Sequence, residues 1–196
     1  MIRRAALLSV LAATACLGPR PDASTFYVLS SMASPAAQVS PLDVTLGVGP
    51  VVIPDYLDRS ELVTRLSEHQ LALSPTARWA EPLDVGVVRV LHSNLASLLQ
   101  PDEIVGFPWY ASQAVTYGIA IEFTRLEADA SGAVEVDAAW TIASGDHEEV
   151  FDRGEATLRE PGGGVTTEAS VAALSRAVEA LAARISARLR DLHRAR

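Results

Sequence analysis

The chain has 196 residues, 49% of them hydrophobic, and a formal net charge of −8. Its length is that of one domain with a single hydrophobic core, and its acidity argues against binding nucleic acid or adsorbing broadly to anionic lipid, because both depend on Lys and Arg. The single cysteine rules out a disulfide within the chain.

The first 15 residues have the layout of a secretory signal peptide. Arg3 and Arg4 precede an apolar run that closes on small residues, and this run is too short to span a bilayer, which needs about 20 apolar residues. Cleavage before Cys16 would leave an N-terminal cysteine, the residue on which bacterial lipoproteins carry their acyl chains. The alternative is ordinary cleavage at the A-x-A pattern of residues 13–15.

We therefore predict a lipoprotein signal peptide over residues 1–15, a lipidated Cys16 with a tether over residues 16–25, and a single α+β domain over residues 26–196. Leu17 follows the cysteine, whereas an Asp at that position favours retention in the inner membrane in enterobacterial-type sorting. The predicted location is thus the periplasmic face of the outer membrane, held by the lipid anchor.

The first part of the domain predicts strands separated by loops. Residues 26–29 form a short strand candidate, and residues 31–41 are small, polar and twice interrupted by proline, which is typical of a loop. Residues 43–53 are rich in valine and predict a strand that ends at Pro54.

A strand pair and a helix follow. Residues 62–66 and 70–73 predict two strands joined by a short turn. Hydrophobic residues then recur every four positions, which predicts an amphipathic helix with Asp84 as its cap and Pro101 just beyond its end. The recurring positions are Leu83, Val87, Leu91, Leu95 and Leu99.

The last part predicts a meander and a long helix. Residues 115–126, 133–143 and 150–158 are strand-like and are separated by turns. After the proline and glycines of residues 161–164, an apolar stripe predicts a helix capped by one of the threonines at 166–167. The fold class is therefore α+β, a mostly antiparallel sheet with two amphipathic helices packed on one face.

The sequence lacks the motifs of common catalytic and metal sites. It contains no G-x-S-x-G, H-E-x-x-H, P-loop or C-x-x-C, and its four histidines are scattered without metal-ligand spacing. Gly47-x-Gly49 lacks a third glycine and runs into Pro50, so we interpret it as a feature of a strand and not as a phosphate loop. We predict no enzymatic activity, no metal and no cofactor; an envelope hydrolase, the alternative, would need a nucleophile with a base.

Two segments are unusually polar and aromatic, GVGPVVIPDYLDRSELVTR over residues 47–65 and RWAEPL over residues 78–83. The first carries Tyr56 and Arg59, residue types that are enriched where proteins bind one another. The alternative is a structural role in which Tyr56 and Leu57 plug the end of the sheet and Arg59 pairs with a neighbouring Asp.

The pair IPDYLDR and RWAEPL resembles the ABC-type transport auxiliary lipoprotein family, the paraquat-inducible protein C-like lipoproteins. The resemblance begins with the aromatic-V-L segment at residues 26–29, continues through the Leu-rich helix, and extends to Trp140 and the closing helix. Two positions depart from the family pattern: Ala13, where the lipobox more often has Leu, and Ser60, where the family often has Pro.

The resemblance implies a non-enzymatic lipoprotein subunit of an MCE-type envelope lipid-transport system, which contributes to membrane integrity. Such a subunit docks the periplasmic MCE-domain protein at the outer membrane, and family members resemble ring-forming homo-oligomers. The alternative is a monomeric periplasmic lipid-binding lipoprotein, in which the sheet face that the helices leave uncovered should form a deep apolar pocket.

Two groups of residues are the candidate partner or subunit contacts. Near the first motif they are Tyr56, Leu57, Arg59 and Trp79. Trp79 has an alternative role, packing the junction between a strand and the helix that starts near Leu83. The second candidate edge consists of Phe107, Trp109 and Tyr110.

Overall fold

The computed structural model describes residues 23–31 and 40–195. The predicted signal peptide, Cys16, most of the tether and most of the loop predicted at 31–41 lie outside these residues. Within them the chain forms eight strands, two α-helices and two short 3₁₀ turns. None of the helices in this part of the chain is long and apolar enough to cross a membrane.

One mixed sheet contains all eight strands. The strands are β1 (Thr25–Tyr27), β2 (Leu42–Val52), β3 (Glu61–Ser67), β4 (Gln70–Trp79), β5 (Pro101–Gly106), β6 (Tyr117–Asp129), β7 (Val134–Ala143) and β8 (Val150–Glu160). Helix α1 (Leu83–Leu99) joins β4 to β5, and helix α2 (Thr167–Arg194) follows β8.

Strand β6 organises the sheet because it has different neighbours on its two edges. Along one edge it pairs with β7, which in turn pairs with β8. Along the other edge its first half pairs with β2 and its end pairs with β3, where Thr64 lies opposite Ala128. Beyond these strands lie β5 next to β2, and β4 with β1 next to β3.

The prediction of a mostly antiparallel sheet is only partly correct. The β3–β4 hairpin and the β6–β7–β8 meander are antiparallel, as the short turns between them require. The pairings β1–β4, β2–β5, β2–β6 and β3–β6 are parallel. Long connections join these pairs, and the connection from β2 to β5 contains α1, so the chain can return in the same direction.

Strand β1 shows from which end the N-terminal chain reaches the domain. It runs parallel to β4, which is antiparallel to β3, and β3 is parallel to β6. β1 therefore runs opposite to β6. The chain before Thr25 approaches the sheet from the end at which β6 finishes.

Both predicted helices are present, but one predicted cap is wrong. α1 begins after Pro82 without a side-chain cap, and Asp84 lies inside its first turn. In α2, the side-chain oxygen of Thr166 accepts a hydrogen bond of 3.2 Å from the backbone N–H of Ala169. The predicted Thr cap of the long helix is thus confirmed, with Thr166 as the capping residue.

The hydrophobic core lies between the sheet and the two helices. Leu91 and Leu95 of α1, Ile119 of β6, and Leu181 and Ile185 of α2 are completely buried there. The opposite face of the sheet carries ion pairs and has a shallow hollow of about 180 Å³ beside β2, β6 and β7. It does not form the deep apolar pocket expected for the lipid-binding alternative.

Candidate functional site

The IPDYLDR turn, residues 53–59, follows the end of β2. The backbone N–H of Leu57 donates to the carbonyl of Pro54 at 2.8 Å, which closes a 3₁₀ turn over Asp55–Leu57. Leu57 is 3% exposed and belongs to the hydrophobic core. This leucine therefore closes the core, as the structural alternative for the motif expects.

Tyr56 leaves the turn in another direction and reaches the middle of the sheet. Its hydroxyl donates a hydrogen bond of 2.6 Å to a carboxylate oxygen of Glu127 on β6. Arg65 of β3 donates to the same carboxylate, and its guanidinium carbon lies 6.0 Å from the centre of the Tyr56 ring. Arg125 adds a contact of 3.3 Å to Glu127. These four side chains fasten the IPDYLDR turn and β3 to β6.

The charges in this network compensate one another. The Glu127 side chain is 1% exposed, and a charge so deeply buried must be paired. Burial, and then the hydrogen bond to Glu127, raise the pKa of Tyr56 to about 12, while the hydrogen bond to Glu127 raises the pKa of Arg65. Both groups keep their protons at neutral pH. The network is therefore a satisfied structural clamp, and Tyr56 has a supporting role in the motif.

Arg59 points away from this clamp. It is exposed, as are Asp55 and Asp58. Over residues 23–31 and 40–195 none of the ion pairs includes Arg59, so the predicted pairing with a neighbouring Asp does not form. The turn thus presents an arginine on a backbone that the Tyr56 clamp holds in place.

The two sequence motifs lie next to each other. The backbone N–H of Trp79 donates to the carbonyl of Ser60 at 2.7 Å, and Arg78 forms an ion pair of 2.7 Å with Glu61. Trp79 is 7% exposed and, like Leu83, belongs to the core. Its position fits the packing alternative at the junction of β4 and α1, so its indole supports the turn from inside.

Phe107, Trp109 and Tyr110 form an aromatic edge in the loop after β5. The Trp109 ring meets Phe107 edge-on, with 5.5 Å between ring centres, and stacks on His147 at 5.2 Å. The indole N–H donates to the carbonyl of Gly145 at 2.7 Å. Phe107 is 50% exposed and Tyr110 is 78% exposed. The edge is thus an exposed aromatic surface with a fixed tryptophan at its base.

Two glycines make room for Trp109. A Cβ atom on Gly47 or Gly118 would lie 2.7 or 2.9 Å from the nearest carbon of the indole, closer than real Cβ contacts. Gly49 has φ +117°, and a Cβ there would lie 2.7 Å from that of Phe107. Gly47-x-Gly49 is therefore part of a strand that the aromatic edge covers, as the sequence interpretation expects.

The structure separates the predicted contact residues into two surfaces. Trp109 covers Gly118 near the start of β6, whereas Tyr56 binds Glu127 near its end. Nine residues lie between these positions, which is about 30 Å along a strand. The IPDYLDR turn and the aromatic edge are therefore not one site.

Sequence reasoning missed Arg65, Glu127 and His147, which hold the two surfaces. Tyr56 and Glu127 are 71 positions apart, so no local spacing connects them. In the described ranges 23–31 and 40–195, no group of three or more His, Cys, Asp and Glu side chains could hold a metal ion.

Comparison with solved structures supports the fold. An uncharacterised protein is 20% identical with a TM-score of 0.70, and the match covers 85% of this chain and 98% of that one. A DUF330 family protein from Xanthomonas campestris is 17% identical with a TM-score of 0.70, over 83% of this chain and 92% of that one. No curated protein matches the chain.

The family model for the ABC-type transport auxiliary lipoprotein component matches residues 27–186. This range runs from the end of β1 to the last third of α2 and includes both motifs and the aromatic edge. The chain therefore belongs to the ABC-type transport auxiliary lipoprotein family.

Proposed function

We propose that this protein is a non-enzymatic subunit of an MCE-type envelope lipid-transport system. In this role it is anchored through Cys16 to the periplasmic face of the outer membrane and docks the periplasmic MCE-domain protein there. The observation that carries the proposal is the family match over residues 27–186. A transport auxiliary component acts by contact with other subunits, so its exposed surfaces are the candidate sites.

The direction of β1 supports the aromatic edge as the surface for the MCE-domain protein. The N-terminal chain approaches from the end at which β6 finishes, and the aromatic edge lies near the start of β6. With Cys16 in the membrane, the edge lies at the end of β6 away from the anchor. That is the position a protein arriving from the periplasm meets.

The composition and rigidity of the edge also suit a binding surface. Phe107 and Tyr110 are large exposed aromatic side chains, and aromatic residues contribute much of the binding energy at protein interfaces. Trp109 is held by the Gly145 carbonyl and by His147. A surface fixed before binding loses less conformational entropy when a partner docks.

The IPDYLDR turn is the proposed contact between copies of the chain in a homo-oligomeric ring. Arg59 is exposed there, and arginine is enriched in binding hot spots. The Tyr56–Glu127 hydrogen bond and the buried Leu57 hold the backbone that carries it. Arg59 would make the contact, while Tyr56, Leu57 and Trp79 would support it from below.

Replacing Phe107 and Tyr110 by Ala in the full chain tests the docking role. We expect this double variant to lose co-purification of the MCE-domain protein from membranes while its melting temperature stays close to that of the parent chain. Val85→Ala on α1 is the matched control, because Val85 is 49% exposed and Phe107 is 50% exposed. Unchanged recovery of the MCE-domain protein, or equal loss in the control, would overturn the assignment of the edge.

Arg59→Ala tests the ring contact separately. Native mass spectrometry of the full chain should give a defined oligomer for the parent and smaller species for this variant. A monomeric parent chain would contradict the ring, whichever result the docking experiment gives.

A further inference from the structure

A cleft of about 390 Å³ opens between the β3–β4 hairpin and the start of α2, on the side of the sheet that the helices cover. Its floor consists of core residues, among them Leu57, Trp79 and Leu126. The cleft remains open because α2 begins only at Thr167 and so does not cover the hairpin. Its volume lies within the range of about 300–1,000 Å³ that is typical of small-molecule sites.

Three large apolar side chains line the cleft and are nevertheless exposed to solvent. Leu66 is 47% exposed, Leu73 is 49% exposed and Val165 is 79% exposed. They lie beside one another around the cleft and form an apolar rim. A contiguous exposed apolar surface of this kind marks a place where another apolar group binds.

The lining provides no positive charge for an anionic group. None of the residues that line this cleft is Arg, Lys or His. Its two acids are already engaged, Glu127 with Tyr56 and Arg65, and Asp129 with Ser131 and the backbone N–H of Ala133. The interior therefore suits an uncharged occupant, and a charged headgroup would have to remain outside.

The strands beside the cleft favour a hydrocarbon chain over a peptide. Thr64 of β3 pairs with Ala72 of β4 on one side and with Ala128 of β6 on the other. The cleft thus offers side chains and no unpaired strand edge. A peptide backbone entering it would lose hydrogen bonds to water without replacing them, whereas a chain of methylene groups has none to lose.

The chain that precedes the described domain brings the membrane within reach. Tyr27 of β1 lies beside Trp79, which lines the cleft. Seven residues lead from Cys16 to Ala23, and an extended segment of that length reaches about 25 Å. A lipid anchor at Cys16 would therefore hold this end of the sheet close to the bilayer.

We infer that the cleft binds one acyl chain of a membrane phospholipid, with the headgroup left outside the rim. This site is separate from the aromatic edge and from Arg59, so it adds lipid contact to the docking role without depending on it. The bilayer to which the anchor holds the protein supplies the phospholipid.

Photocrosslinking in the membrane tests this inference with the full chain. p-Benzoylphenylalanine is incorporated at Leu66 and, in a separate chain, at Val85, whose exposure of 49% matches the 47% of Leu66. After irradiation of cells, the protein is purified and its peptides are analysed by mass spectrometry. We expect a peptide that carries the mass of an intact phospholipid at position 66 and none at position 85.

A second substitution ties the adduct to the cleft. Ala72→Phe fills the cleft from β4, and Ala139→Phe places the same ring on the exposed face of β7. We expect the first to abolish the adduct at position 66 and the second to leave it, with thermal melts showing that both chains fold. If Ala72→Phe does not fold, the comparison of positions 66 and 85 decides.

Several results would overturn the inference. These are no adduct at position 66, equal adducts at positions 66 and 85, an adduct with the mass of a free fatty acid alone, or a crosslink to a protein alone. An adduct that survives in a folded Ala72→Phe chain would also overturn it. Loss of the MCE-domain protein in the Phe107 and Tyr110 double variant affects none of these results, so failure of one proposal is distinguishable from failure of the other.

Discussion

The hydroxyl of Tyr56 ties the IPDYLDR turn to Glu127. Tyr56→Phe removes this donor and keeps the ring, so the buried carboxylate loses one partner. We expect the free energy of unfolding to fall by about 1–2 kcal/mol, measured by chemical denaturation. Tyr27→Phe is the control, because in the described part of the chain the Tyr27 hydroxyl forms no hydrogen bond. Equal losses in the two variants would show that the clamp contributes nothing specific.

The same tyrosine predicts a difference at alkaline pH. Its pKa is raised from 10.0 to about 12 in the folded protein. Below pH 10 the group is protonated in both states, and above that the unfolded chain releases its proton first. Stability should therefore fall as the pH rises from 10 to 12, and the advantage of the parent over Tyr56→Phe should shrink over that range. A constant difference in the melts would contradict the raised pKa.

Gly118 shows how one missing side chain shapes the aromatic edge. An alanine there would place its Cβ 2.9 Å from the Trp109 ring, so we expect Gly118→Ala to destabilise the fold by about 1–3 kcal/mol and to change the tryptophan emission. Gly106→Ala is the matched control, because no atom lies within 4 Å of its added Cβ. The cost should be smaller in a Trp109→Leu background; an unchanged cost would locate the strain elsewhere.

At the scale of elements, local patterns predicted what local contacts decide. The β3–β4 hairpin, the β6–β7–β8 meander and both helices follow from hydrophobic periods and short turns. The parallel pairings of β2 with β5 and β6 join segments far apart in sequence, and β5 begins with Pro101 and two acids, which hide its strand character. Likewise, Tyr56 was recognisable by residue type, but its partner Glu127 was not.

The start of α2 is an element whose stability rests on a cap. Thr166 accepts a hydrogen bond from the N–H of Ala169, one of the first N–H groups of a 28-residue helix, which lack partners within the helix. We expect Thr166→Ala to lower the free energy of unfolding by about 1 kcal/mol and Thr167→Ala, inside the helix, to cost less. Chemical denaturation compares the two; a larger cost for Thr167→Ala would place the cap one residue later.

At the scale of the molecule, function depends on how the two ends of the sheet are oriented. β1 brings the N-terminal chain to the end where the cleft and the IPDYLDR turn lie, and the aromatic edge lies about 30 Å away along β6. An anchor at Cys16 would turn the cleft toward the bilayer and the edge toward the periplasm. The proposed division between lipid contact and partner docking thus rests on this single attachment.

Replacing Cys16 by Ser tests that attachment. Serine cannot carry the thioether-linked lipid, and stable anchoring needs more than one acyl chain. We expect the parent chain to remain with washed membranes and to show the added mass of its acyl groups. The Cys16→Ser chain should appear in the supernatant without that mass and with an unchanged melt, because the described domain begins at Ala23. If the variant stays with the membrane, another surface holds the protein there and the proposed orientation no longer follows.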